Sequence, residues 1–348
     1  MRRFVGIKSR MAIEFSGWTK NSKAFLWAYR GSELVPHQQR QYAPQEIRNI
    51  RLDLLDVPHI YKRPRKLPPV INFRMAKGGT GKTTMAANVA SCMAMMGYRV
   101  LMIDGDPQAS LSGMFGVDWA TQDVTHVGEL MRRANSKNET TRIEDAIVPM
   151  YTGGMLDLIP ASIDMAGADG WINQINIGRE QTFTKLLDKE IDFFSHYDAI
   201  VVDSAPSSSL LTTAFMVASP TVLAIVMPER QSLGALNILQ SHIQELNDHF
   251  GTSRYGIHIV VNRYNQSKKP HQVTLGQMTD TYGKFMNDTI VRDFVGFLRE
   301  TSGTDNDHRG LLLESEPNSV GARDVIDLTK SLTKLYGIKL VDGITGNV

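Results

Sequence analysis

The feature that most constrains the fold is a glycine-rich segment between a short apolar run and a long helical pattern. The segment reads Lys-Gly-Gly-Thr-Gly-Lys-Thr-Thr over residues 77–84, and the apolar run before it covers Val70 to Met75. A buried strand, a glycine turn and a helix together make a phosphate-binding loop. Glycines let backbone N–H groups close around a polyphosphate, and the helix N-terminus adds the positive end of its dipole. The segment therefore predicts a nucleotide-binding α/β fold.

The residues of this loop have separate expected roles. Lys82 is expected to contact the β- and γ-phosphates, and the Thr83 hydroxyl is a candidate ligand for Mg²⁺. The first glycine of the usual G-x-x-x-x-G-K-[ST] pattern is replaced by Ala76. Lys77 is an additional lysine that packing does not explain, because charged side chains are rarely buried without a partner. The candidate nucleotide contacts of the loop are Lys77, Gly78, Gly79, Thr80, Gly81, Lys82, Thr83 and Thr84.

Two other apolar runs end in carboxylates. Residues 99–103 lead into Asp104 and Asp106, and residues 199–202 lead into Asp203. Ligands of open α/β sheets bind beyond the carboxyl ends of the strands, so these side chains are expected near the phosphates. Asp104 and Asp203 are candidate Mg²⁺ ligands, directly or through water. No Glu follows Asp203, which leaves Asp106 as the candidate that orients the attacking water.

This combination resembles the deviant Walker A ATPases of the ParA/MinD family over about residues 68–340. The resemblance rests on the loop with its additional Lys77, on Asp-Gly-Asp-Pro-Gln at 104–108 and on the order of the three phosphate-proximal elements. It implies a P-loop NTPase with a doubly wound, mostly parallel sheet flanked by helices, and ATP and Mg²⁺ as cofactors. It also implies that Lys77 reaches across a dimer interface to the nucleotide of the other subunit. The aspartate matching Asp106 positions water in that family, and a single carboxylate predicts slow hydrolysis.

A later apolar run, residues 255–261, leads into Asn262. An Asn side chain offers a donor and an acceptor together, which is enough to read the edge of adenine. The resemblance places an adenine-contacting Asn at this strand end, whereas a simple turn residue is the alternative. The sequence also predicts a strand over residues 221–227 and a helix over residues 232–250.

The net charge is close to neutral, but basic and acidic residues are unevenly distributed along the chain. Residues 1–69 contain 14 Lys and Arg against 5 Asp and Glu, a balance of +9, and the remainder holds 24 against 31, or −7. We therefore divide the chain into a basic, mostly helical extension, residues 1–67, and an ATPase domain, residues 68–348. A basic segment suggests an anionic partner such as DNA, and a solvated basic tail is the alternative.

Within the extension, residues 18–30 predict an aromatic-rich helix, residues 36–41 a linker, and Pro44 the first turn of a second helix. The sequence from Tyr42 to Arg48 is similar to the opening helix of MerR-like winged-helix modules. Residues 61–66 follow as a cationic stretch made extended by proline. Basic side chains of this kind contact phosphates with salt-dependent, sequence-blind affinity. The candidate DNA contacts here are Arg48, Arg51, Lys62, Arg63, Arg65 and Lys66.

The resemblance also implies DNA contacts late in the ATPase domain, since partition ATPases bind nonspecific DNA through basic residues of C-terminal elements. The candidates are Lys268 and Lys269, in a polar loop, and Arg323, at the start of a helix predicted over residues 322–336. Composition excludes other classes. One cysteine, Cys92, does not suffice for an iron–sulfur cluster, and no apolar stretch approaches the ~20 residues of a membrane span. We expect a cytoplasmic, nucleoid-associated protein.

The predicted function is that of a ParA-type partition ATPase. It forms a homodimer on ATP, binds DNA nonspecifically and is released when a ParB-like adaptor stimulates hydrolysis. Two alternatives remain open: an ATP/ADP-switched repressor of its own operon, and positioning of a protein cargo. A membrane-bound regulator of the MinD kind needs a basic amphipathic C-terminal helix. Residues 339–348 instead contain glycines and little basic charge, so no membrane partner is expected.

Overall fold

The computed structural model describes residues 6–20, 28, 41–61, 63–301 and 310–341. Its strands are β1 (Ile7–Lys8), β2 (Gln41–Tyr42), β3 (Val70–Arg74), β4 (Val100–Gly105), β5 (Val148–Tyr151), β6 (Leu156–Ile159), β7 (Ala199–Ser204), β8 (Thr221–Val226) and β9 (Gly256–Val261). The strands β3, β4, β6 and β7 are completely buried and β8 and β9 largely so, which matches their runs of apolar and β-branched residues, whereas the edge strand β5 is mostly half-buried or exposed.

The α-helices alternate with these strands along most of the chain. They are α1 (Ser9–Ser16), α2 (Pro44–Leu54), α3 (Lys82–Met95), α4 (Ser110–Met114), α5 (Val127–Asn135), α6 (Ala168–Asn173), α7 (Thr182–Lys189), α8 (Ile191–Phe194), α9 (Leu210–Ala218), α10 (Arg230–Phe250), α11 (Lys269–Tyr282), α12 (Gly296–Thr301), α13 (Leu312–Ser315) and α14 (Val320–Leu335). None of the helices in the described part of the chain is long and apolar enough to cross a membrane.

The main sheet has seven strands in the order β5-β6-β4-β7-β3-β8-β9. Every neighbouring pair is parallel except β5 and β6, which pair antiparallel at one edge. Strand β3 lies between β7 and β8, so the loop that follows it is in the middle of the carboxyl edge. The predicted fold class, a mostly parallel sheet flanked by helices, is confirmed.

Helix α3 is the central helix of the fold. Met85, Val89 and Met93 are at most 1 % exposed, and they pack into the hydrophobic core on one face of the sheet. The helix stops before Gly97, whose φ of +88° favours glycine. A Cβ at Gly97 would lie 2.8 Å from the backbone nitrogen of Arg48. Close contact with the N-terminal segment therefore also requires glycine at this position.

The described part of the N-terminal segment shares this core. Ile7, Met11, Phe15 and Ile47 belong to the same buried cluster as the residues of α3 and α14. The sequence did not predict α1. The predicted helix over residues 18–30 and the linker at 36–41 fall mostly outside the described residues. The boundary at residue 67 stays a prediction, although the described residues of the segment pack into the core of the ATPase.

The structure corrects the DNA-binding assignment of Arg48 and Arg51. Arg48 is 2 % exposed and Arg51 is 8 % exposed. The Arg48 guanidinium donates to Asp198 Oδ2 at 2.6 Å and to the Gly97 carbonyl at 3.0 Å. Arg51 donates to the Met96 carbonyl at 2.6 Å. Both arginines therefore attach α2 to the end of α3 and are not available to DNA phosphates.

The similarity of this segment to a winged-helix module has a structural explanation. Tyr42 and Ile47 are buried in the core, and the Glu46 carboxylate accepts a hydrogen bond from the Ala43 N–H at 2.6 Å. Glu46 thus caps the first turn of α2, as an acidic residue at that position commonly does. These residues specify a helix start and its packing.

Candidate functional site

The glycine-rich loop joins the carboxyl end of β3 to the first turn of α3. Gly79 and Gly81 have φ values of +75° and +85°, a conformation that L side chains rarely adopt. A Cβ at Gly81 would lie only 2.5 Å from Nδ2 of Asn262. The loop is thus held in a left-handed turn against the end of β9. Its backbone leads directly into the N-terminus of α3, the end of a helix that attracts anions.

Lys82 is the first residue of α3, and its side chain is largely buried at the site. Burial lowers the pKa of its amine, and the negative charge of Asp203 opposes that change. A buried ammonium group has lost much of its hydration, and a phosphate oxygen that binds to it replaces that solvation. The geometry agrees with the predicted phosphate contact.

Asp104 and Asp203 lie side by side, because β4 and β7 are parallel neighbours that pair these two residues in register. Burial raises the pKa of Asp104 to about 6, and that of Asp203 to about 7 with an added contribution from the Asp104 charge. Asp104 Oδ2 accepts hydrogen bonds from the Ser112 N–H at 2.8 Å and the Ser112 hydroxyl at 2.7 Å. Asp104 therefore anchors the turn before α4.

The Asp203 carboxylate is buried, and neither of its oxygens has a well-formed hydrogen bond. The Thr83 hydroxyl lies close enough to lower its pKa, against the effect of burial. An orphaned buried carboxylate beside a hydroxyl at a phosphate-binding loop is a set of oxygen ligands that suits Mg²⁺. Asp203 and Thr83 would hold the ion, and the ion would neutralise charge on the phosphates when bound.

Asp106 is half-buried in the turn after β4, and its Oδ1 accepts a hydrogen bond from the Gln108 N–H at 3.0 Å. Pro107 biases Asp106 toward an extended backbone, which helps to fix the direction of its carboxylate. The carboxylate is near enough to Asp203 to raise the pKa of that residue. The structure thus brings all three sequence-predicted aspartates to the same edge of the sheet as the loop.

Lys77 forms an ion pair that the sequence did not predict. Its Nζ lies 2.7 Å from Glu229 Oε2 within the same chain. This hydrogen bond lowers the pKa of Glu229. Glu229 follows β8 and is the residue before α10, so its position at a strand end was a signal that could have suggested a role.

Arg74 is a second residue that the sequence analysis missed, because it was counted within an apolar run. It is 1 % exposed, and burial lowers its pKa to about 10. Its guanidinium donates to the carbonyls of Ala205 and Pro206 at 3.0 Å and of Ser207 at 2.8 Å. Arg74 therefore fixes the loop after β7 to the strand that carries the glycine-rich loop.

Asn262 is 1 % exposed at the end of β9. Its Nδ2 donates to the Thr80 carbonyl at 2.8 Å, and its Oδ1 accepts from the Arg263 N–H at 2.9 Å. The Nδ2 group thus holds the loop, and Oδ1 fixes the turn that follows β9. The amide keeps a second N–H and a second acceptor lone pair, and Asn262 lines the cavity described next, so the predicted reading of adenine stays a prediction.

A cavity of about 500 Å³ extends from the loop to the segment after β9. This volume is in the range of small-molecule sites. Polar loop residues form one end, and apolar residues form much of the other. The lining residues are Gly79, Gly81, Lys82, Thr83, Thr84, Met85, Ser110, Gly113, Met114, Asn262, Arg263, Asp293, Phe294, Phe297, Leu298 and Glu300.

Comparisons with known proteins agree with this geometry. A model of a family described as "AAA domain" matches residues 69–254, which is more than half of the chain. The chain belongs to this AAA-domain family. The order of its site elements and its relatives identify it, within that family, as a ParA/MinD-type P-loop ATPase.

Two relatives and one solved structure illustrate the similarity. The cell division protein PomZ of Myxococcus xanthus is 28% identical over 84% of this chain and 85% of its own length. The virulence plasmid ParA family protein pGP5-D of Chlamydia psittaci is 27% identical over 76% of this chain and 94% of its own. Cobyrinic acid a,c-diamide synthase from Mycobacterium smegmatis, with a bound ATP analogue and magnesium, has a TM-score of 0.61 at 20% identity, covering 80% of this chain and 100% of its own. The last shows the fold alone.

The remaining predicted DNA contacts of this ParA/MinD-type ATPase have varied surroundings. Arg63 pairs with the buried Asp198 at 2.7 Å, and Arg65 pairs with the exposed Asp192 at 2.5 Å. Lys268 lies 3.8 Å from Asp293, and Arg323 pairs with Glu14 and Asp327. Lys66 and Lys269 are exposed, and Lys62 lies outside the described residues. Arg63 is therefore part of the attachment of the N-terminal segment, while the DNA-binding role of the exposed residues stays a prediction.

Proposed function

We propose that this protein is a partition ATPase that dimerises on ATP, binds DNA nonspecifically and is released by hydrolysis. The proposal rests on the different surroundings of the two lysines of the loop. Lys82 is buried at its own phosphate site, whereas Lys77 is partly exposed, at 26 %, and paired with Glu229. A lysine in that position suits a nucleotide held by a second subunit.

In the proposed cycle, two copies enclose two ATP molecules. Lys82 and the backbone of residues 78–84 hold the phosphates within each subunit, and Lys77 leaves Glu229 to contact the nucleotide of the other. A charged lysine approaching a triphosphate gains more than it had from one exposed carboxylate, because phosphate carries more charge and more acceptors. Dimerisation would therefore depend on the γ-phosphate.

Hydrolysis would begin when Asp106 accepts a hydrogen bond from a water molecule and aligns it with the γ-phosphorus. Water adds to the phosphorus, the bond to the β–γ bridging oxygen breaks, and ADP leaves with the charge stabilised by Lys82. Catalysis of this kind comes mainly from positioning and electrostatic stabilisation. One carboxylate without a stronger base agrees with slow turnover that an adaptor of the ParB kind would accelerate.

Three features support binding to DNA. They are the exposed lysines at 66 and 269, the basic charge balance of residues 1–69, and the similarity to a plasmid ParA family protein. Relation to a cell division protein keeps cargo positioning as the second candidate, since the same ATP cycle would serve it. The alternative of an operator-binding repressor relied on Arg48 and Arg51 as DNA contacts. Both are buried, which weakens that alternative.

The proposal is tested by light scattering and phosphate release with the full chain. Lys82→Ala should abolish ATP-dependent dimers, and Asp106→Ala should retain ATP-dependent dimers and lose turnover. Lys185→Ala, at an exposed lysine of α7, is the matched control and should change neither. Length-dependent, sequence-blind DNA binding that requires ATP supports partition. Dimerisation of Lys82→Ala, or normal phosphate release by Asp106→Ala, would contradict the assigned roles.

A further inference from the structure

Two buried polar side chains interrupt the apolar strand β3. Asn72 is fully buried and Arg74 is 1 % exposed, although β3 is an interior strand of the sheet. Successive residues of a strand point to opposite faces, so these two side chains share one face. That face is the one away from α3, because Ile71 and Phe73 pack into the core that contains α3. Burial of a charged group costs free energy, so the partners of Arg74 indicate what the residue does.

The partners of Arg74 are carbonyl groups in two different loops. Its Nη1 donates to the Met75 carbonyl at 3.1 Å. Together, Nη1 and Nη2 also donate to three consecutive carbonyls, those of residues 205–207, at 3.0, 3.0 and 2.8 Å. Met75 leads into the glycine-rich loop, and residues 205–209 form the β7–α9 loop that follows Asp203. A single guanidinium therefore joins the start of the phosphate loop to the loop next to a candidate Mg²⁺ ligand.

Main-chain dipoles compensate the charge of Arg74. Among the residues that the structure describes, no carboxylate forms an ion pair with it. Burial lowers its pKa to about 10, which still leaves it a cation at neutral pH. Its charge is near enough to Lys82 to lower the pKa of that amine. A planar array of donors suits several carbonyls at once, and this is the property of arginine that the position uses.

Asn72 adds a second connection on the same face of β3. Ser204, the residue directly after Asp203, donates from its hydroxyl to Asn72 Oδ1 at 2.5 Å. The far end of the β7–α9 loop is held by Asp169, whose carboxylate accepts from the first two N–H groups of α9 at 3.2 and 3.0 Å. Side chains of β3 thus hold the part of the loop nearest Asp203, and Asp169 holds the part nearest α9.

We propose that Arg74 is a positioning residue for ATP hydrolysis, which keeps the phosphate loop and the β7–α9 loop in one relative position. This inference rests on the proposed ATP-dependent function. In that function Lys82 and residues 78–84 hold the phosphates, while the hydrogen bonds of Arg74 go to Met75 and the β7–α9 loop. Hydrolysis also needs the carboxylates after β4 and β7 in fixed positions, and a misplacement of about 1 Å can cost roughly 100-fold in rate. Loss of Arg74 should therefore slow turnover far more than it weakens ATP binding.

The experiment measures steady-state phosphate release by the full chain with ATP and Mg²⁺. Arg74→Lys keeps the positive charge and removes the planar array of donors, because an ammonium group is a point charge. We expect kcat to fall roughly 10- to 100-fold and KM for ATP to stay within about threefold. Arg51→Lys is the matched control, since Arg51 is also buried and donates to a carbonyl, that of Met96, at the opposite edge of the sheet. It should leave kcat and KM within about twofold.

Hydrogen exchange of the nucleotide-free chain gives a readout that does not depend on turnover. The amides of residues 205–211 should exchange faster in Arg74→Lys than in the wild-type chain, because the loop has lost its attachment to β3. Arg74→Met, which removes the charge as well, should show the same faster exchange and at least the same fall in kcat. Arg51→Lys should leave exchange in this segment unchanged. Circular dichroism verifies that each variant is folded.

Three results would overturn the positioning role: wild-type kcat in either Arg74 variant, unchanged exchange at residues 205–211, or an equal fall in kcat for Arg51→Lys. A rise in KM at constant kcat would assign Arg74 to ATP binding and would overturn it as well. If the wild-type chain released no phosphate from ATP, the proposed ATP-dependent function itself would be refuted, which is a different result from a loss confined to the variants.

Discussion

Replacement of Arg48 by methionine gives the sharpest test of the corrected role of the N-terminal segment. Methionine keeps an apolar stem of similar length and removes the guanidinium, so packing changes little. Arg48 pairs with Asp198, whose side chain is fully buried, and also donates to the Gly97 carbonyl and to the Tyr61 hydroxyl at 3.1 Å. The variant leaves the Asp198 carboxylate with the Arg63 guanidinium and the Arg99 N–H at 2.7 Å each.

Removing one partner of a buried ion pair typically costs about 3–5 kcal/mol. We expect the lower half of that range, about 3–4 kcal/mol, because Arg63 and the Arg99 N–H still compensate the charge of Asp198. Urea unfolding, followed by circular dichroism, would show this as a shift in midpoint at constant slope. Lys66→Ala, at an exposed lysine of the same N-terminal segment, should change stability by less than about 0.5 kcal/mol. A loss under about 1 kcal/mol for Arg48→Met, with a large fall in DNA affinity, would refute the structural role.

Three further predictions concern the site. Glu229→Gln removes the carboxylate that holds Lys77, so ATP-dependent dimers should form at lower ATP concentration; an unchanged or weaker dependence in a light-scattering titration would contradict this. Burial raises the pKa of the Glu300 carboxyl to about 8, above its unfolded value, so its contribution to stability is complete at low pH and is lost as pH rises toward 8. Glu300→Gln should remove that part of the pH dependence, at most about 1.4 kcal/mol per pH unit in urea unfolding, and Glu245→Gln on the exposed face of α10 should not. Asp203→Asn removes a buried, unpartnered carboxylate, so the metal-free protein should be more stable above pH 7 while Mg²⁺-dependent turnover is lost; a less stable, fully active variant would exclude Asp203 as a metal ligand.

Local patterns in the sequence were sufficient for the central part of the fold. Runs of apolar residues bounded by Gly or Asp define β3, β4 and β7, and their carboxyl ends are close together for topological reasons alone. Asp104, Asp203 and the loop lysine at 82 could therefore be predicted to share one site. Helix bounds were accurate within a few residues, as for the predicted 322–336 and the observed Val320–Leu335.

The errors came from partners that are remote in sequence. Helical periodicity in α2 marks Ile47 and Ile50 as buried and assigns the arginines by default to solvent, because it considers only polarity. Arg48 is buried because Asp198, 150 residues later, provides a carboxylate at the amino end of β7. The hydrogen bond from Asn262 to the carbonyl of Thr80, 182 residues earlier, could not be predicted either, although the expected contact of Asn262 with adenine stays a prediction. Composition predicts the presence of such groups but not their pairing.

The position of the Arg48–Asp198 ion pair shows how the N-terminal segment could affect nucleotide chemistry. Asp198 precedes β7 and Asp203 is near its end, so the attachment of α2 and the candidate Mg²⁺ ligands lie at opposite edges of the same sheet. Helix α3 extends from one edge to the other. It begins with Lys82 at the phosphate site, and Gly97, just after its C-terminus, lies against the backbone of Arg48. At 1.5 Å per residue its 14 residues span about 21 Å, close to the length of the neighbouring strands. An effect of the segment on ATP binding would therefore act through the position of α3, and would appear first at Lys82 and Thr83.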